Sequence, residues 1–208
     1  MKSLTIPDSV TTIERSAFSY CPSLESLTIP DSIRTIEPYT FNSCCKLKLT
    51  IPASVTSIQE FALGQCYSVK IADDNKLFYN GENGEVIGRT SKRLIWFPKT
   101  YSGSYDIPSG ITSIYAGAFM QSSKLESVTI PSSVTTISQD AFLGCKNLES
   151  LTIPSSVTSI AQNTFAGCKK LRSLTVPERF KREINSWNIP GECKIIYQRR
   201  NGSLNSPE

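Results

Sequence analysis

The sequence predicts an α/β repeat solenoid over residues 1–177, wound from coils of ~23 residues. Three observations predict it. The stretch Leu151–Lys170, LTIPSSVTSIAQNTFAGCKK, recurs at Leu4–Cys21, Leu27–Cys44, Leu49–Cys66 and Val128–Cys145, and in weaker form at Tyr105–Ser122. The prolines set a step: Pro7 to Pro30 is 23 residues, Pro30 to Pro52 is 22, and Pro108, Pro131, Pro154 and Pro177 follow at intervals of 23. Within each copy, residues such as Leu148, Leu151 and Ile153 alternate with Ser and Thr, the pattern of a strand with one buried face.

Each coil begins with that strand, and successive strands stack in parallel about 4.8 Å apart. Proline then ends the strand, because it has no N–H to give to a ladder. Val10–Ile13 and Val134–Ile137 supply two more inward columns, as a second short strand or an extended bend. In Ala17-Phe18-x-x-Cys21 and Ala141-Phe142-x-x-Cys145 the apolar residues recur at the spacing of one helical face, so a single turn of α- or 3₁₀-helix is expected there. Phe18, Phe41, Phe119, Phe142 and Phe165, with Leu63 in the third copy, form a spine of large side chains.

The cysteines follow the same register. Cys21, Cys44, Cys66, Cys145 and Cys168 hold one coil position, Ser122 holds it in the weaker copy, and Cys45 and Cys193 stand outside it. A column of small side chains that tolerates serine is a packing device, not a disulfide framework. The chain has no histidine and no Cys-x-x-Cys pair, which removes the usual zinc partner and the usual base for a cysteine nucleophile. Neither a phosphate loop nor a Gly-x-Ser-x-Gly elbow is present. A non-catalytic protein without metal or cofactor is expected.

The interval from Pro52 to Pro108, 56 residues, holds an insertion over residues 72–104. Leu77–Tyr79, Glu85–Gly88 and Arg93–Phe97 are strand-like and separated by turn-forming segments, one with an Asn-Gly step, so a small three-stranded meander is expected. Its rings, Phe78, Tyr79, Trp96 and Phe97, with Tyr101 following, either cover the interrupted apolar column or form a ligand-contacting patch. Asp73, Asp74 and Asn75 lack the spacing of a calcium loop. After Pro177, Phe180, Ile184 and Trp187 have the spacing of an amphipathic helix and Cys193–Tyr197 that of a closing strand, together a cap over residues 178–197. Residues 198–208 are expected to be a disordered tail, in which Asn201-Gly-Ser203 matches a glycosylation acceptor.

Composition narrows the partners. A net charge of +4 is too small to argue for nucleic acid or an anionic membrane, although Lys169, Lys170, Arg172, Arg179, Lys181 and Arg182 crowd the C-terminal coil. No apolar run is long enough to span a bilayer, so no membrane insertion is expected. The chain opens directly in a repeat strand without a signal-peptide core, and a fragment whose export signal and N-terminal cap lie upstream is favoured over a cytoplasmic protein.

The repeated LTIPxSVTxIxxxAFxxC, with the core Leu-x-x-Leu-x-Ile, resembles the BspA-like (Treponema pallidum-type) leucine-rich repeats over residues 1–177. LFYNGENGEVIGRTSKRLIWFP is similar to an insertion seen in that family. The resemblance implies a curved right-handed solenoid with strands on its concave face and short helical turns on its convex face, and an extracellular or cell-surface location. It implies no particular binding residue. On this basis the chain is expected to be a monomeric adhesion module for a protein or glycan surface, the alternative being a spacer with no ligand of its own. The candidate contacts are first the island rings, because uniform hydroxyl rows lack the Trp, Tyr and Arg of a hot spot, and then the outward rows Ser26, Thr28, Lys48, Thr50, Ser127, Thr129, Ser150 and Thr152.

Overall fold

The computed structural model describes residues 1–199, which form two compact units, the first Met1–Lys99 and the second beginning at Thr100. In the first unit the strands are β1 (Ser3–Thr5), β2 (Ser26–Thr28), β3 (Thr35–Ile36), β4 (Lys48–Ile51), β5 (Ser57–Ile58), β6 (Ser68–Ile71), β7 (Phe78–Asn80), β8 (Val86–Gly88) and β9 (Arg93–Trp96). The period brings equivalent residues face to face. Thus β1, β2, β4 and β6 make a parallel sheet in which Ser3, Ser26, Lys48 and Ser68 stand in register, as do Leu4, Leu27, Leu49 and Val69. The second inward column is also a strand pair, β3 on β5. The insertion is an antiparallel meander of β7, β8 and β9 with a bulge at Val86–Ile87.

The second unit repeats the plan with β10 (Gly103–Asp106), β11 (Ser113–Ile114), β12 (Leu125–Thr129), β13 (Thr136–Ile137), β14 (Ser150–Thr152), β15 (Ser159–Ile160), β16 (Ser173–Pro177) and β17 (Lys194–Gln198). Here β10, β12, β14, β16 and β17 form one parallel sheet, while β11, β13 and β15 pair behind it. Every coil turns at its proline, whose carbonyl accepts the N–H three residues on, as at Pro131 and Val134, 3.1 Å. The closing strand β17 pairs with β16 from Lys194 opposite Ser173 to Gln198 opposite Pro177. Of the expected tail, Gln198 ends this strand, and residues 200–208, with the Asn201 acceptor, lie outside the described residues.

The expected helical turns are not formed. The Ala-Phe-x-x-Cys segments are chains of tight turns, and among the described residues the helical elements are two 3₁₀ turns, Glu178–Phe180 and Ile184–Trp187. The physical reason lies in the backbone. Ser16, Tyr39, Phe61, Gly117, Asp140 and Asn163, all at one coil position, have φ between 54° and 67°. Four residues later Tyr20, Ser43, Gln121, Gly144 and Gly167 are left-handed again, so only three residues separate the two breaks. The spacing that looked helical comes from i→i+3 bonds such as Ser19 N–H to the Ser16 carbonyl (2.9 Å) and Cys145 N–H to the Phe142 carbonyl (3.1 Å). Intervening N–H groups donate to the next coil instead: Gly117 to Gln139, Phe119 to Ala141 and Gln121 to Leu143. A helix would turn all of these donors along its own axis. Valine in place of Gly167, φ 71°, is therefore expected to destabilise the second unit by about 1–2 kcal/mol, with Asn in its place costing less, measured as a shift in urea midpoint.

The rings stack as the coils do. Phe18 lies on Phe41 at 5.7 Å, Phe119 on Phe142 at 4.9 Å and Phe142 on Phe165 at 5.8 Å, all near parallel. In the third coil Leu63 keeps the spine position, and Phe61 makes a second stack on Tyr39 at 4.9 Å. The cap is not the single amphipathic helix expected from residues 178–187. Its two 3₁₀ turns bury Phe180 and Trp187 against each other at 5.4 Å, and the Ser186 and Trp187 carbonyls receive the Asn163 and Phe165 N–H groups, closing the turn ladder. The bonds within the cap run i→i+3, from the Lys181 N–H to Glu178, Glu183 to Phe180 and Ser186 to Glu183, the tighter winding of 3₁₀ turns in place of α-helix.

Candidate functional site

The outward strand positions are determined by the same alternation that buries Leu and Ile. Ser26, Thr28, Lys48 and Thr50 are exposed on neighbouring strands of the first unit, with Ser26 opposite Lys48 and Thr28 opposite Thr50. Beside them Lys48 Nζ lies 5.9 Å from the ring of the exposed Tyr67, and Lys2 and Glu25 form an ion pair at 3.4 Å. In the second unit Thr129, Ser150 and Thr152 are exposed, Ser127 is half-buried, and Ser127 stands opposite Ser150. The result is two polar rows, one hydroxyl per strand in nearly every coil.

Other hydroxyls are structural. Ser32, Ser133 and Ser156 donate to the carbonyls of Val10, Ile111 and Val134 one coil earlier, and Thr56, Thr135 and Thr158 do the same to Arg34, Thr112 and Thr135. These staples were missed from the sequence, where Ser and Thr were read only as surface. The recurrence of Ser-Val-Thr in four copies was the signal.

The island rings do not form one exposed patch. Phe78, Trp96 and Phe97 are 7%, 1% and 0% exposed and offer a ligand almost no surface. Tyr79 is half-buried beneath Arg89, whose guanidinium lies 4.9 Å from its ring, and Tyr101 donates its hydroxyl to the Ser104 carbonyl at 2.7 Å. Two asparagines seat the meander on the first unit. Buried Asn75 donates to the Pro52 and Val55 carbonyls and accepts from the Leu77 and Phe78 N–H groups, so its amide is spent on the backbone. Asn80 accepts from Ile71 and donates to Val69 and Gly84, engaging the outer edge of β6.

The cysteine column is a ladder of donors. Cys44, Cys145 and Cys168 direct their thiols to the carbonyls of Phe18, Phe119 and Phe142 in the preceding coil, at 2.9–3.2 Å. Burial pushes the Cys44 thiol up to about 11 and Cys168 up to about 12, from an ordinary value of 9.0, and raises Cys66 further still. These thiols stay protonated at neutral pH and serve as small hydrogen-bonding core groups. The sign of the linkage follows. Unfolded thiols ionise from about pH 9 while the folded ones hold their protons, so stability is expected to fall as pH rises above about 9 and on through 11–12. Alkylation at pH 8 should modify exposed Cys45 first, with Cys44 and Cys168 slower by about 100-fold until urea opens the coils. Among the described residues no group of three His, Cys, Asp or Glu could hold a metal, and no helix is long and apolar enough to cross a membrane.

Comparison with known proteins agrees with this geometry. The family profile described as BspA type leucine-rich repeat region matches residues 1–80 and 96–199, in six copies, so its gap falls within the meander. Among solved structures, a leucine-rich cell surface protein from Faecalibacterium prausnitzii is 25% identical, with TM-score 0.67, over 95% of this chain and 60% of its own. A leucine-rich repeat protein from Eubacterium ventriosum is 21% identical, with TM-score 0.65, over 85% of this chain and 60% of its own. The pneumococcal vaccine antigen PcpA, 21% identical with TM-score 0.63, is matched over 96% of this chain and 68% of its own. The chain thus spans about three fifths of the first two structures. Comparison with curated proteins gave no match.

Proposed function

Since the chain belongs to the BspA-type leucine-rich-repeat family, we propose that it is a non-catalytic recognition module of a cell surface, binding a protein or glycan through its strand face. The observation that carries this is the pair of exposed rows Ser26, Thr28, Lys48 and Thr50, and Thr129, Ser150 and Thr152, which no segment of their own unit covers among the described residues. Flat rows of hydroxyls hydrogen-bond a partner at many points, each of modest strength, and need no deep pocket. Support for the location comes from the Faecalibacterium relative, which is described as a cell surface protein.

Printing the purified chain against extracellular-matrix proteins and glycans tests the proposal. Two variants serve as probes, Thr28→Glu/Thr50→Glu in the first unit and Thr129→Glu/Thr152→Glu in the second. A saturable signal that weakens at least about tenfold in one of them is expected, because a carboxylate in a row of hydroxyls repels acceptors and blocks close approach. Retained affinity in both would move the site to Tyr79 or Tyr101. Absence of any signal from the folded chain would favour a spacer.

A further inference from the structure

The strand face of the second unit is flanked by cations that lie far apart in sequence. Each coil passes from its cysteine position to its next strand through a short corner, and there the chain places Lys124, Lys146 and the pair Lys169–Lys170, at steps of 22 to 24 residues. One period of the coil superposes such positions, so they stand in file about one strand spacing, ~4.8 Å, apart. The backbone supports the alignment of the corner lysines, since the Lys170 N–H donates to the Lys146 carbonyl, and Arg172 stands beside them where the preceding coil has Glu149. In the cap the Lys194 N–H donates to the Arg172 carbonyl at 2.8 Å and Lys194 stands opposite Ser173, so it extends the neighbouring serine row with a further cation.

The fold also sorts the basic cluster that the sequence shows near the C-terminus. Arg179 is spent on the carbonyls of Ser155 and Val157, and Lys181 lies 5.5 Å from the ring of Tyr197. Lys169, Lys170, Arg172 and Lys194 remain exposed and form no ion pair among the described residues. Three carboxylates, Glu126, Glu149 and Glu192, adjoin the four lysines of the file together with Arg172 and Lys194, so the balance of this edge is positive.

We propose that this file, with the row Ser127, Ser150 and Ser173 beside it, docks a linear anionic glycan carrying sulfate or carboxylate groups along its chain. The inference rests on the strand face being the recognition surface. Cations repeated once per coil suit a polymer whose anions repeat, and the neighbouring serines can exchange hydrogen bonds with sugar hydroxyls. Single-stranded nucleic acid is disfavoured because the row presents Ser and Thr where base stacking needs rings.

Biolayer interferometry of the full chain tests this against four probes: a heparin oligosaccharide, an unsulfated polyuronate, neutral dextran and a DNA oligonucleotide. The first two separate sulfate from carboxylate. Saturable binding to one or both, none to dextran, and weakening of about tenfold or more between 0.05 and 0.3 M salt are expected. The triple variant Lys169→Ser/Lys170→Ser/Arg172→Ser should raise Kd at least about tenfold, while Lys169→Arg/Lys170→Arg/Arg172→Lys should retain binding. Unchanged affinity in the serine variant, folded by circular dichroism, would overturn the proposal. So would DNA binding as tight as the glycan's and equally sensitive to the variant. If neither anionic glycan binds but matrix proteins still do, this inference fails and the recognition surface stands. If nothing binds, both fail.

Discussion

Phe142→Ala should destabilise the second unit by about 3–5 kcal/mol and lower the melting temperature by roughly 6–20 °C. Phe142 is wholly buried and is the middle ring of a near-parallel stack, 4.9 Å from Phe119 and 5.8 Å from Phe165. Its loss opens a cavity between three coils at once, and tight turns on either side hold the backbone, which limits collapse into the void. Because a solenoid draws stability from nearest-neighbour interfaces, the damage should spread both ways from the coil. Hydrogen exchange read at β12, β14 and β16 should accelerate together. A loss under about 1 kcal/mol would mean that the stack is not the core of the unit.

Trp187→Ala should cost a similar amount, about 3–5 kcal/mol, with a different distribution. Trp187 ends the spine: its ring meets Phe165 edge-on at 6.2 Å and Phe180 at 5.4 Å, and it has no exposed surface. Without it the last coil loses its cover. Exchange should quicken in β16 and β17 and in the Asn163–Cys168 turn while β12 stays protected, since only one interface is broken. Uniform acceleration across the unit would show instead that the cap sets global stability.

Much of this architecture was legible in the sequence because a repeat writes each core position several times. The proline step placed the strands, and the alternation in LESLTIP assigned Leu151 and Ile153 inward and Ser150 and Thr152 outward, as the register of β14 on β16 shows. The cysteine column was identified as packing for the same reason, since five coils share the position.

The turns were not legible. Ala141-Phe142-x-x-Cys145 has helical spacing, yet left-handed residues interrupt it on both sides. Asp140, Asn163 and the glycines 144 and 167 hinted at this, whereas Tyr39, Phe61 and Tyr20 at equivalent positions gave no such sign. The cap misled in the same way, because Phe180 and Trp187 are brought together by two short turns and not by a common helical face. For the site, the sequence placed the hydroxyl rows but could not say whether the island rings were cover or contact. Burial of Phe78, Trp96 and Phe97 is a property of what folds over them.

What the sequence determined by itself is therefore the periodic side-chain pattern: the coil length, the inward and outward strand positions, and the column of packed cysteines. What only the tertiary structure decided is where each backbone donor goes and which distant residues become neighbours. A left-handed residue is tolerated at Tyr39 or Phe61 because the ladder it permits bonds one coil to the next, at 3.3 Å to Glu60 from Tyr39 and 2.9 Å to Ala62 from Phe41. Lys146 and Lys170 stand 24 residues apart in the chain, and stacking makes them adjacent.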